Sequence, residues 1–126
     1  METKAFTELE SAVINWFILF YRDEALSGQL RGARVIERKW TEVGWYVELH
    51  VQESAGPVQA DGLGYGGWPI EGPQIRSSAI PHDAGVLLWG EQGIVDCIEM
   101  FAYAGEFPIE LDQFELIKTM TLKPKP

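Results

Sequence analysis

Glu99 is the residue of this chain that asks most of its surroundings. It stands in Cys97-Ile98-Glu99-Met100-Phe101, inside a stretch that reads as a strand. Residues two apart share a strand face, so Glu99 alternates with Cys97, Phe101 and Tyr103. A carboxylate in such company must be paired, hydrogen-bonded or raised in pKa. Two chemistries follow. One is a structural ion pair, with Arg38 as the candidate partner. The other is a general acid/base or ligand-contacting carboxylate in a sheet-lined pocket. Trp45, Trp89 and Tyr103 are the other candidate lining residues. Glycoside chemistry would need a second acid opposite Glu99, and the sequence singles none out.

Other residue types point to less. Cys97 has acidic and apolar neighbours, which raise a thiol pKa, so it is expected as a small core residue rather than a nucleophile. His50 and His82 are far apart in sequence. A metal site would need both to converge on an acid such as Glu48 or Asp83, and no ligand-spaced cluster exists. Gly62, Gly64 and Gly67 match G-x-G-x-x-G. They run into Trp68-Pro69, which cannot open the helix that a dinucleotide site requires. No catalytic residue, metal or cofactor is expected.

The elements that must position Glu99 follow from periodicity. Leu9, Val13, Trp16, Phe17 and Phe20 recur at helical spacing, which predicts one helix over Thr7 to Ser27. Thr7 and Glu10 have capping-box spacing, and Gly28 is the expected stop. Ile18, Leu19 and Tyr21 widen the apolar stripe, so the helix is expected to be covered on more than one side, by a sheet and a loop or by a second copy. After Gly32 the period becomes two. Val43, Trp45, Val47, Leu49 and Val51 alternate with Gly44, Tyr46, Glu48, His50 and Gln52, which predicts a strand. Arg34 to Trp40 precedes it, joined by a short hairpin loop at Thr41 to Val43. Ser54 to Pro73 is rich in glycine and proline and reads as a long loop. Trp68, in its middle, either tucks into the core or stands out as a contact residue. Gln74 to Ile80, Val86 to Trp89 and Ile94 to Tyr103 are further strand candidates, with a turn at Gly90 to Gly93. Phe114 to Leu122 is expected to close the sheet at an edge. The fold class is therefore α+β. One N-terminal helix packs on a curved, mainly antiparallel sheet of about five to six strands, as a single domain over residues 1–126.

Composition narrows the function. The chain has 126 residues and a net charge of −9. That balance opposes binding to a phosphate backbone, so no nucleic-acid partner is expected. The longest apolar run, Trp16 to Tyr21, is far short of the roughly 20 residues that span a membrane. One cysteine excludes an internal disulfide framework and suits a reducing compartment. The N-terminal residues lack the basic region of a signal peptide. A cytoplasmic location is expected. Residues 54–116 alone sum to −9, with Arg76 the single base among them. Such clustering serves solubility, or it steers the chain onto a basic partner. On the second reading Trp68, Glu71, Asp83, Glu91, Asp96 and Glu106 are the candidate contacts.

Two stretches carry a family likeness. Val35-Ile36-Glu37-Arg38-Lys39-Trp40-Thr41-Glu42-Val43-Gly44-Trp45 resembles the Arg-Glu-x-Thr-Gly-Val-Gly-Phe segment of a set of small bacterial proteins. Gly85 to Tyr103, followed by Phe107-Pro108, resembles their glycine, apolar strand, turn and Leu-Glu-x-x-x-Tyr segment. Similar sequences are typical of small immunity-type proteins encoded beside bacterial toxins. The chain departs at Glu42, where glycine is usual, and at Ile98, where leucine is. The resemblance implies a bacterial origin and an α+β fold. Taken with the small size, the lack of a catalytic constellation and the acidic block at 54–116, it leads to the expectation of a non-enzymatic, immunity-like module that neutralises a basic toxin domain. The expectation from a different class is a ligand-binding or hydrolytic pocket between helix and sheet, centred on Glu99. A homodimer through the wide apolar helix is compatible with either.

Overall fold

The computed structural model of the protein describes residues 5–63, 67–108 and 111–118. Gly64, Glu110 and the end of the predicted closing strand lie outside them. The chain is α+β, with N-terminal helices and a mainly antiparallel open sheet of seven strands, one or two more than predicted.

Two helices replace the single one expected. α1 spans Glu8–Tyr21 and α2 spans Glu24–Arg31. The break is made locally. Arg22 ends α1 in the left-handed conformation at φ 50°. Asp23 then caps α2, its carboxylate accepting from the Leu26 amide at 3.0 Å. Asp caps a helix better than it continues one. Gly28 therefore lies inside α2 instead of ending a helix. The change of direction also explains why polar residues after Tyr21 do not continue one helical face.

β1 (Arg34–Trp40) and β2 (Gly44–His50) form the predicted hairpin. Its loop is held by the Thr41 amide donating to the Gly44 carbonyl at 2.9 Å. Gly44 must be glycine, because a Cβ there would lie 1.8 Å from the Met100 carbonyl oxygen. β3 (Ile70–Glu71) is a strand inside the predicted loop, which also holds two short 3-10 turns. β4 (Gln74–Arg76) is shorter than expected. β5 (Ala84–Glu91) and β6 (Ile94–Ala102) form the central hairpin. Its turn is Gln92-Gly93 alone, both at positive φ, which matches the twist of the flanking strands. β7 (Glu115–Ile117) pairs with β4 at an edge. The spatial order is β1-β2-β6-β5-β4-β7, with β3 also on β5.

The helices cover one face of this sheet. Val35, Trp45, Val47, Leu49, Val86, Leu88, Ile98 and Met100 point to them and are buried with Leu9, Val13, Phe17, Tyr21, Leu26 and Leu30. The widened apolar stripe of α1 is largely accounted for within the chain. Trp16 stacks on Phe20 at 4.5 Å, and Tyr21 donates to the Glu71 carbonyl at 2.6 Å. Leu19 remains exposed.

One carboxylate fixes helix to sheet. Glu10 is fully buried. Its Oε1 accepts from the Thr7 amide at 2.9 Å, completing the predicted capping box, and from Arg38 Nη2 at 2.5 Å. Its Oε2 accepts from Arg38 Nε at 2.8 Å and Trp45 Nε1 at 3.0 Å. Arg38 thus pairs with Glu10 and not with Glu99. The reason is the pleat: Arg38 and Trp45 share the helix side of the sheet, while Glu99 points to the other side. Burial alone would raise the Glu10 pKa. Hydrogen bonds from Arg38, the Thr7 backbone and Trp45, with the Arg38 charge, outweigh burial and hold it below the ordinary value.

A depressed folded pKa adds stability above the unfolded pKa that is lost as pH falls through the folded one. Glu10→Gln leaves the half-buried Arg38 guanidinium without its counter-charge. At neutral pH it should cost on the order of 3–5 kcal/mol in urea unfolding, with the slope unchanged. The gap to the parent protein should narrow as pH falls from the ordinary glutamate range toward the depressed folded pKa of Glu10. A constant gap down to acid would show that the charge of Glu10 is not what matters.

Candidate functional site

The uncovered face of the sheet carries the chemistry. Strand alternation and register place its residues in rows. Lys39 of β1, Tyr46 of β2, Glu99 of β6, Leu87 of β5 and Glu71 of β3 form one row. Glu37, Glu48, Cys97 and Trp89 form the next. Phe101 lies on the other side of Glu99, its ring over Gly85 and 5.9 Å from the ring of Tyr103. Burial agrees at the centre of the sheet: Tyr46, Leu87, Glu99 and Phe101 are half-buried, while their neighbours along each strand are buried.

Glu99 is at the centre. Its Oε2 accepts from the Tyr46 hydroxyl at 3.2 Å and its Oε1 from Trp89 Nε1 at 2.9 Å. Tyr46 reaches it directly across the β2–β6 pair, and Trp89 diagonally from β5. Both donors are neutral, so they fix the carboxylate without cancelling its charge. The ion pairs among the described residues are Glu10–Arg38, Lys39–Glu48 and Arg76–Asp83. None uses Glu99. The Glu99 charge, with burial and the hydrogen bond, raises the Tyr46 pKa. Burial, then Glu91 and Glu48, raises that of Asp96, which records mutual repulsion among the acids at this margin.

The pocket candidates separate. Trp89, Glu99 and Tyr103 are on the uncovered face or at its end, whereas Arg38 and Trp45 are on the helix face. The space between helix and sheet is filled by Phe17, Trp45, Val86, Ile98 and Met100. Glu99 does not enter it. Tyr46 and Leu87 are the members of the face that sequence reasoning missed. Tyr46 was visible as an alternating position and Leu87 as part of a short apolar run, but nothing local said that their strands flank β6.

The contact candidates also spread. Glu91 and Asp96 lie at the turn end of the β5–β6 hairpin, and Asp83 and Glu106 at the other end. Eight residues of strand put those ends about 24 Å apart. Asp83 is occupied by Arg76 and Gln74, and Arg76 then Gln74 contribute to holding its pKa down. Trp68 is half-buried against Gly90, packed on the core. Glu71 belongs to the central row. Gly67 takes φ 124° in a bend, not at a helix entrance. Among the described residues no three His, Cys, Asp or Glu side chains gather as a metal site, and no helix is long and apolar enough to cross a membrane. No protein-family model, curated protein or solved structure matches this chain.

Cys97 is half-buried, and burial with the charges of Asp96, Glu99 and Glu48 pushes its thiol up to about 12. At pH 8 its thiolate fraction is about a thousandfold below that of an ordinary thiol. Alkylation by iodoacetamide should be slowed to that degree in the folded protein and restored in urea. Reaction at the ordinary rate in the native state would contradict this environment. A second check concerns Tyr46. Glu99→Gln removes the charge that opposes phenolate formation, so Tyr46 should ionise at lower pH. Near-ultraviolet difference titration, with Tyr46→Phe to assign the signal, reads the shift. No shift would mean that the Tyr46–Glu99 contact is absent in solution.

Proposed function

We propose that this chain is a non-enzymatic binding module of the immunity type, which neutralises a basic protein partner, such as a toxin domain, by covering it with the open face of its sheet. The observation that carries this reading is the Glu99 carboxylate. It is held by two aromatic donors, lacks a cationic partner among the described residues, and is surrounded by half-buried apolar and aromatic side chains. Around it stand Glu37, Glu48, Glu71 and Asp96, against Lys39 and Arg34. A surface of this kind gains from a partner that is both apolar and basic.

Size supports the same reading. Five strands at about 4.8 Å spacing and the nine residues of β6 give a rectangle of roughly 500–600 Å². A standard interface takes roughly 800 Å² from each partner, so this face with its rim approaches that size. The family likeness points the same way, toward a module working inside a bacterial cell.

Tagged protein should capture a basic protein from lysate of its own source at low salt and release it at high salt, since screening shortens the reach of surface charge. The doubly neutralised variant Glu48→Gln/Glu99→Gln should fail to retain that protein. Glu24→Gln, on α2, should retain it. An empty eluate at low salt, or equal retention by the face variant, would overturn the proposal.

A further inference from the structure

We infer that the Tyr46–Glu99–Trp89 cluster is the seat of an arginine side chain presented by the partner. This rests on the proposed reading and specifies its recognition chemistry.

Each Glu99 oxygen accepts one hydrogen bond from an aromatic neighbour. A carboxylate oxygen has two lone-pair directions, so one on each oxygen is still open. Two open, coplanar acceptors on one carboxylate are what a guanidinium fork engages bidentately. An ammonium group is a point donor and uses the pair less well. The carboxylate is also prepared in advance. Tyr46 and Trp89 fix its orientation, so little rotamer freedom remains to be lost on binding.

The surroundings suit the rest of the side chain. Leu87 stands directly beside Glu99 in the row, and Phe101 is two residues along on the same face. They offer apolar surface for the three methylenes of an arginine stem. The indole and phenol rings that hold Glu99 bring π systems close to a cation paired with it, and guanidinium favours such neighbours. The bases of β1 on and behind this row, Lys39 and Arg38, are committed elsewhere. Lys39 pairs with Glu48 at 2.9 Å and Arg38 is on the opposite side of the sheet with Glu10. The arginine therefore comes from outside.

The test uses two acetylated, amidated peptides of alternating glycine and basic residue, each with four charges, one built with arginine and one with lysine. Binding is read from the Trp89 indole N–H resonance during titration at low salt. The arginine peptide should bind about fivefold tighter. Glu99→Gln should abolish that preference. Glu99→Asp keeps the charge but withdraws the carboxylate from its two donors, and should lose the preference while retaining general attraction. Circular dichroism of both variants checks that the fold is kept. Equal affinity of the two peptides, or a preference that survives in Glu99→Asp, would overturn the arginine seat yet leave a basic partner on this face. Absence of any shift at Trp89 with either peptide up to millimolar concentration would overturn both readings.

Discussion

The fold depends on a charged group placed where water does not reach. Glu10 connects α1 to β1 and β2 through three hydrogen bonds, and through a fourth it closes the cap of α1. Every acceptor direction on the carboxylate is filled, which is the condition under which a buried ion is tolerated. Arg38 adds a donation to the Ala5 carbonyl at 2.7 Å, so the same guanidinium also ties down the approach to the helix. A second polar anchor works at the other end. Gln29 of α2 is fully buried, donates to the Gly56 and Gly93 carbonyls, and accepts from the Val95 amide. Together these groups set how the helical layer lies on the sheet, which apolar contacts alone would leave less specific.

Covering one face commits the other to solvent. An antiparallel sheet tolerates this, provided the open face alternates toward polar residues and the edges resist pairing. The β1 edge meets the second condition. It carries Arg34, Glu37 and Lys39, with a register shift between Val35 and Glu37. The opposite edge, β7, is three residues long. Neither invites an added strand. The face meets the first condition incompletely, because Tyr46, Leu87, Trp89 and Phe101 interrupt its acids. That departure from a plain solvated surface is the reason to read it as a contact surface.

Much of this architecture was legible in the chain. The period-two run from Val43 to Val51 and its short connection to Arg34–Trp40 gave the first hairpin with its register of inward residues. Thr7 and Glu10 gave the cap. What failed did so for identifiable reasons. The break at Arg22-Asp23 was hidden because Asp23 reads equally as a polar helix residue and as a cap. β3 was hidden because two residues carry no period, and β5 alone makes them a strand. The strand order was not available from local pattern, so the neighbours of Glu99 were not either.

The pairing of Arg38 shows where sequence reasoning stops. Glu10 and Glu99 are both carboxylates among apolar residues, and Arg38 suited either by composition. Burial decides between them. Glu10 is on the dry side of the sheet, where an ion without a counter-ion costs several kcal/mol, and the one arginine on that side goes to it. Glu99 is on the wet side, where water and two neutral donors suffice to hold a carboxylate. The free energy that would make an internal ion pair for Glu99 worthwhile is small at an exposed position. A negative charge can therefore stay unpaired there at little cost, which is the freedom that the proposed recognition of a cation requires.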